Sequence, residues 1–141
     1  MLRYVLDTNV VVAGLRSPKG ASAALIDFAL NQKFTLLLSV ALVIEYEAIC
    51  CDPMQRTVSG LDELEVEIII SALCAVAEPV ALWFLWRPQL RDPSDEMVLE
   101  TAINGKADGI VTFNQRAFGN ASNHFGIELL FPQEALRRIL R

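Results

Sequence analysis

Histidine is almost missing from this 141-residue sequence, since His124 is the only one, and that argues against a histidine-rich metal site or a Ser-His-Asp triad. Cysteine is scarce too: Cys50, Cys51 and Cys74 are odd in number and lack CxxC spacing, so neither a disulfide framework nor a zinc site is indicated and a reducing compartment is. There is no basic excess. Twelve Lys and Arg against 17 Asp and Glu give a net charge of −5, which excludes a broad cationic surface for sequestering nucleic acid. It does not exclude an enzyme that meets RNA through a bound metal ion. No basic region followed by a long apolar segment opens the chain, so no secretory signal is expected. The one stretch resembling a membrane span, 68–86, follows Glu67, contains Ser71 and is broken by Glu78-Pro79. Internal repeats, low-complexity segments and linkers are also lacking. The expectation is one cytoplasmic domain over 1–141, without membrane association, large enough to bury roughly two thirds of its unfolded surface.

What is present is an alternation of short apolar runs with helical patterns. Tyr4-Val5-Leu6 is apolar on both faces and stops at Asp7, as a strand buried in a parallel sheet does. Ser17-Pro18-Lys19-Gly20 is a turn cluster, and 21–31 then repeats apolar residues at helical spacing. A second strand is expected at 34–38, followed by a helix over 40–51 capped by Ser39 and ended by Asp52-Pro53. A helix over 61–77 begins among acids and stops before Pro79, and 80–86 is extended or irregular. Asp92 and Pro93 suit the N-cap and first position of a helix running to about Gly105. A strand at 108–112, a small strand near 127–130 and a helix after Pro132 complete an α/β fold with a parallel sheet and helices on both faces.

The informative acids are those placed where apolar residues belong. Asp7 stands at a strand's carboxyl end, the edge where open α/β sheets gather their chemistry, and there it either caps the turn at Thr8 and Asn9 or meets a cation. Asp95 heads the apolar stripe Val98, Leu99, Ala102 and Ile103, whereas Glu96 and Glu100 fall on a different, solvated row. A first-turn acid is also favoured by the helix dipole, by about 0.3–1 kcal/mol, but the dipole does not explain its place on the stripe. On the helix over 40–51, Glu45 and Glu47 both have apolar helical neighbours. Periodicity does not choose between them, and the helix reads as buried over most of its circumference. Thr112 and Asn114 follow another buried strand at the same sheet edge. Oxygen donors without His or Cys match a hard cation, Mg²⁺ or Mn²⁺.

Taken in order, Asp7-Thr8-Asn9 after an N-terminal strand, the helical Glu45, Asp92-Pro93-Ser94-Asp95-Glu96 opening a helix, and Val111-Thr112-x-Asn114 resemble a PIN domain. The resemblance covers nearly the whole chain and is nearest to the toxins of bacterial toxin–antitoxin pairs. It implies a three-layer α/β/α fold with a central, mainly parallel sheet, and a Mg²⁺- or Mn²⁺-dependent endoribonuclease. By position Asp7, Glu45 and Asp95 match the first, second and third acids of the family. Asp92 is a frequent companion that joins through water or serves only as N-cap. Thr8, Asn9, Thr112 and Asn114 are the supporting positions, and Arg87, Arg91, Lys106 and Arg116 the basic residues flanking this edge for RNA phosphates.

Asn114 stands where many PIN domains have a fourth Asp. That departure motivates the alternative of a catalytically weak PIN domain acting mainly as a protein- or RNA-binding module. A phosphatase- or receiver-like domain ranks lower, because such folds want a Lys on a later strand near the pocket and Lys106 precedes its strand. The resemblance also implies a cognate antitoxin protein and a homodimer. A chain 53% hydrophobic at this size points the same way, with Ile68, Ile69, Leu73 and the segment 82–86 as interface candidates.

Overall fold

Strand pairing starts from the N-terminal apolar run, which becomes the centre of the sheet. The computed structural model describes residues 1–83 and 90–141. Five strands, β1 (Arg3–Leu6), β2 (Thr35–Leu38), β3 (Glu78–Pro79), β4 (Gly109–Val111) and β5 (Glu128–Leu130), form one all-parallel sheet in the order β3-β2-β1-β4-β5. The helices are α1 (Thr8–Arg16), α2 (Ala21–Leu30), α3 (Val40–Cys50), α4 (Pro53–Ser59), α5 (Glu63–Val76), α6 (Pro93–Asn104), α7 (Ala121–His124) and α8 (Pro132–Ile139), with a 3₁₀ turn at Gln115–Phe118. Flanked by these helices, the sheet makes the three-layer α/β/α fold of a PIN-like protein.

Register decides what stands at the carboxyl edge. Leu6 of β1 is paired with Val111 of β4, so the residues that follow each, Asp7 and Thr112, leave the sheet side by side. The Asp7 amide donates to the Val111 carbonyl at 2.9 Å and the Thr112 amide to that of Leu130 at 2.9 Å. Helix α6 packs over β1, β2 and β4, while α1, α2, α3, α5 and α8 pack against one another. Gly14 allows the closest of these approaches, since a Cβ there would meet Ile26 Cδ1 at 2.4 Å. The buried core runs from Tyr4, Val5 and Leu6 through Leu36, Leu37 and Leu38 to Ile110 and Val111.

The structure departs from the sequence reading in several places, among them the short strand β3 and helix α7, which the sequence reading lacks. Residues 8–16 form a helix directly after Asp7, where a turn is expected. Val10, Val11 and Val12 lower helix propensity, but full burial of Val10 and Val11 overrides it. Asp52-Pro53 both ends α3 and starts α4, with the Asp52 carboxylate accepting from the Met54 amide at 3.1 Å and Gly60 closing the helix in the left-handed region. Helix α3 buries a single row, Leu42, Tyr46 and Cys50, and leaves Val40, Ile44 and Ile49 exposed. Glu96 and Glu100 are buried, not solvated, and the Leu90 amide donates to Glu96 Oε1 at 2.9 Å.

Two expected caps are in place. Ser39 Oγ accepts from the Leu42 amide and Asp92 Oδ1 from the Ser94 amide at 2.9 Å. Helix α3 is further tied to the sheet by Tyr46, fully buried, whose hydroxyl donates to the Leu6 carbonyl. Tyr46→Phe removes the donor and leaves that carbonyl without it in a dry site, at a cost of about 1–2 kcal/mol. Urea denaturation with an unchanged m-value checks this expectation.

Candidate active site

Three separate elements deliver carboxylates to one cleft of about 480 Å³ at the carboxyl edge of the sheet: the end of β1 with Asp7, the middle of α3 with Glu45, and the first turn of α6 with Asp95. The choice between Glu45 and Glu47 is made by packing. Burial of the Leu42, Tyr46 and Cys50 row turns Glu45 toward the cleft, while Glu47 is exposed and lines a different cavity beside α5. The Thr8 hydroxyl donates to Glu45 Oε2 at 2.6 Å, tying α1 to α3 at the site.

Asp7 is the most constrained of the three. Its side chain is buried and caps α1, with Oδ1 accepting from the Thr8 amide at 2.8 Å and Oδ2 accepting from the Thr112 hydroxyl at 2.7 Å. The Asn114 amide donates in turn to Thr112 Oγ1 at 3.0 Å, and Asn9 Oδ1 receives the Phe113 amide at 3.4 Å. Both loops at this edge are thereby held around one carboxylate. Burial pushes the Asp7 carboxyl above its ordinary value, against the two hydrogen bonds, and the charges of Glu45 and Asp92 push it the same way. Asp95 is pushed up to about 6, first by burial and then by Asp7, Asp92 and Glu45.

Asn9, Val12, Ala13 and Arg16, successive residues of one face of α1, line the same cleft, as do Ser94, Phe113 and Asn114. Arg16 is a functional candidate that the sequence reading misses. Its signal was the i, i+3, i+4, i+7 spacing from Asn9, visible only once 8–16 is taken as a helix. Asp92, Arg91 and Arg116 do not line the acidic cleft but share an adjoining cavity of about 510 Å³ with Asp95. Arg87 lies outside the described residues. Lys106 sits in the turn before β4, at the opposite end of the sheet from the acids, because it follows the last turn of α6.

Among the described residues no three acidic, histidine or cysteine side chains stand close enough to hold one ion by themselves. The donors are hard carboxylate and hydroxyl oxygens, and beyond the effect of burial the neighbouring acids push Asp7 and Asp95 up. Such a set fits a cation that takes one or two carboxylates and keeps several waters, as Mg²⁺ does. An all-parallel sheet with carboxylates gathered at its carboxyl edge defines an acidic-cleft α/β protein, a class suited to phosphoryl chemistry. A family model described as PIN domain matches residues 3–116, and the chain belongs to the PIN-domain family. No curated protein matches it. PIN domains are in general nucleases that use divalent metals, so the family supports a nuclease-type hydrolase acting on nucleic acid.

The raised Asp95 carboxyl sets a pH dependence. Between 3.8, its usual value, and about 6, the folded protein holds a proton that the unfolded chain has lost. The stability this gives is full below the lower value and is lost as pH rises through the upper one. In EDTA, Asp95→Asn is therefore expected to melt above wild type at pH 7.5, with a gain on the order of 1 kcal/mol after allowance for solvent screening. The gap should close toward pH 4, as read by thermal denaturation across pH.

Proposed function

We propose that the chain is a Mg²⁺- or Mn²⁺-dependent endoribonuclease and the toxin of a toxin–antitoxin pair. The observation that carries this reading is the single cleft lined by Asp7, Glu45 and Asp95 in a member of a nuclease family. In it Asp7 and Asp95 hold the ion, and Glu45 is a further ligand or orients the attacking water. A bound divalent ion supplies a water of lowered pKa and neutralises charge developing on the phosphoryl oxygens. Thr112 and the Thr8 amide fix the Asp7 carboxylate, and the Thr8 hydroxyl fixes Glu45, so two of the acids are oriented before substrate arrives. Asp92 acts as the N-cap of α6 and adds its charge from the side. Arg16 inside the cleft and Arg91 and Arg116 beside it contact RNA phosphates, as does Arg87.

A second reading keeps the fold and gives up the catalysis. Asn114 lines the cleft with an amide where a fourth acid would add charge, so a catalytically weak PIN domain that binds RNA or protein is the alternative. We take residues 1–141 as one domain, because β5 extends the sheet and α8 packs on α2 beyond the stretch that the family model covers. No helix among the described residues is long and apolar enough to cross a membrane, and the proposed setting is the cytoplasm.

Partners follow the same reading: RNA as substrate, a cognate antitoxin protein, and a second copy of the chain. Of the interface candidates, Leu73 is core, Ile69 packs partly against it, and Ile68 and Trp83 are exposed, while residues 84–86 lie outside the described part. Exposed Val40 and Ile44 add to this apolar surface around a cavity of about 340 Å³ between α3, α5 and β3.

Asp7→Asn is expected to lower Mn²⁺-dependent RNA cleavage on the order of 100-fold or more while the fold persists by circular dichroism. Cleavage at the wild-type rate by that variant would remove the mechanism. Asn114→Asp should bind Mn²⁺ more tightly by titration calorimetry, and an unchanged affinity would take Asn114 out of the site. Light scattering at micromolar concentration should return the mass of two chains, and a clean monomer mass would exclude the homodimer.

A further inference from the structure

The acidic cleft does not end at its carboxylates. Ala13 and Phe113 line it and also line a second cleft of about 410 Å³ that opens between α2 and α8 and has Phe131 and Gln133 on its far side. The two spaces therefore adjoin at these residues. Their chemistry differs. No acid lines the second cleft, and its walls are small residues of α1 and α2 and the rings of Phe113 and Phe131, which remain 48% and 44% exposed. A single exposed ring is ordinary surface. Two on one cleft that joins an acidic site are the arrangement by which proteins hold unpaired bases, because every base has a face to stack and the contact tolerates any sequence.

Resting on the nuclease reading above, we propose that this cleft is a base-stacking subsite for single-stranded RNA, with Phe113 and Phe131 as its platforms. Ala13, Gly20 and Ala21 contribute small residues to its lining, and the size is that of a ligand pocket. Gln133 offers an amide to a base edge. The main chain carrying each ring is anchored without the ring's help: the Phe113 amide donates to Asn9 Oδ1 at 3.4 Å and the Phe131 amide to Glu134 Oε1 at 3.1 Å. A base already paired in a duplex has no free face for them, so the site selects unpaired RNA.

The test measures binding, not cleavage, so that it stands apart from the nuclease reading. Fluorescence anisotropy of a short labelled RNA on the whole chain in EDTA at low salt gives the affinity. Phe113→Ala and Phe131→Ala are each expected to weaken it about tenfold. On the substrate side, moving one abasic nucleotide along the RNA should find a position that weakens wild-type binding by a similar factor and costs nothing further in the Phe131→Ala protein. Annealing the complement should abolish binding. The proposal is overturned if wild type does not bind, if both variants bind as wild type does, if the abasic penalty persists in them, or if the duplex binds equally well. It is overturned too if Phe131→Ala releases a co-purifying protein and leaves RNA affinity intact, which assigns the cleft to a protein partner. Phenylalanine-dependent binding with no cleavage under any divalent ion leaves this subsite standing and removes the nuclease reading instead.

Discussion

The structure around the cleft depends on how one buried carboxylate is satisfied. Asp7 ends the central strand, and burying its charge without partners would cost several kcal/mol. Its partners come from both directions along the chain: the amide of Thr8, which makes it the N-cap of α1, and the hydroxyl of Thr112, which follows the neighbouring strand. Because Leu6 and Val111 are paired in register, those two contacts need no distortion of the sheet. The consequence reaches further than Asp7. Starting α1 at Thr8 aims the Thr8 hydroxyl at Glu45 and brings Asn9, Val12, Ala13 and Arg16 onto the cleft, so a single cap sets the positions of a second carboxylate and a cation.

What the sequence made legible follows from the range of each signal. Strands β1, β2 and β4 and the start of α6 are written in contiguous residues, as apolar runs and as Asp92-Pro93, and the structure has them in those places. Alpha-helix α1 was hidden because Val10-Val11-Val12 reads as strand or loop by propensity, and only the burial of Val10 and Val11 against the rest of the core makes a helix of it. The choice of Glu45 over Glu47 was closed to periodicity for a related reason. Both have apolar neighbours in sequence, yet Ile44 and Ile49 stay at the surface while Leu42, Tyr46 and Cys50 turn inward. Apolar composition does not say which side of a helix is covered. Glu96 illustrates the converse, a buried acid whose partner, the Leu90 amide, comes from outside its helix.

A chain with net charge −5 that is to act on a polyanion has to separate the roles of its charges in space. Here the acids are concentrated in one cleft, where burial and neighbouring charges raise Asp7 and Asp95, and cations stand at its sides: Arg16 on its wall, Arg91 and Arg116 in the adjoining cavity. On the proposed reading a divalent ion held by these carboxylates would offset their charge, while the flanking arginines and the phenylalanine-lined extension would supply contacts that do not depend on the ion.

The same repulsion couples binding to stability. Carboxylates raised by burial and by each other destabilise the protein at neutral pH when nothing neutralises them, and any ligand that binds only the folded cleft returns that stability by mass action. Tyr46 and Thr112 hold Asp7 and α3 in place through groups that do not titrate near neutrality, so the electrostatic strain is confined to the cleft and does not loosen the strand end that carries it. The hydrogen bonds from Thr8 and Thr112 orient the Asp7 and Glu45 carboxylates in the folded chain, so on the proposed reading an ion would find its oxygens already placed.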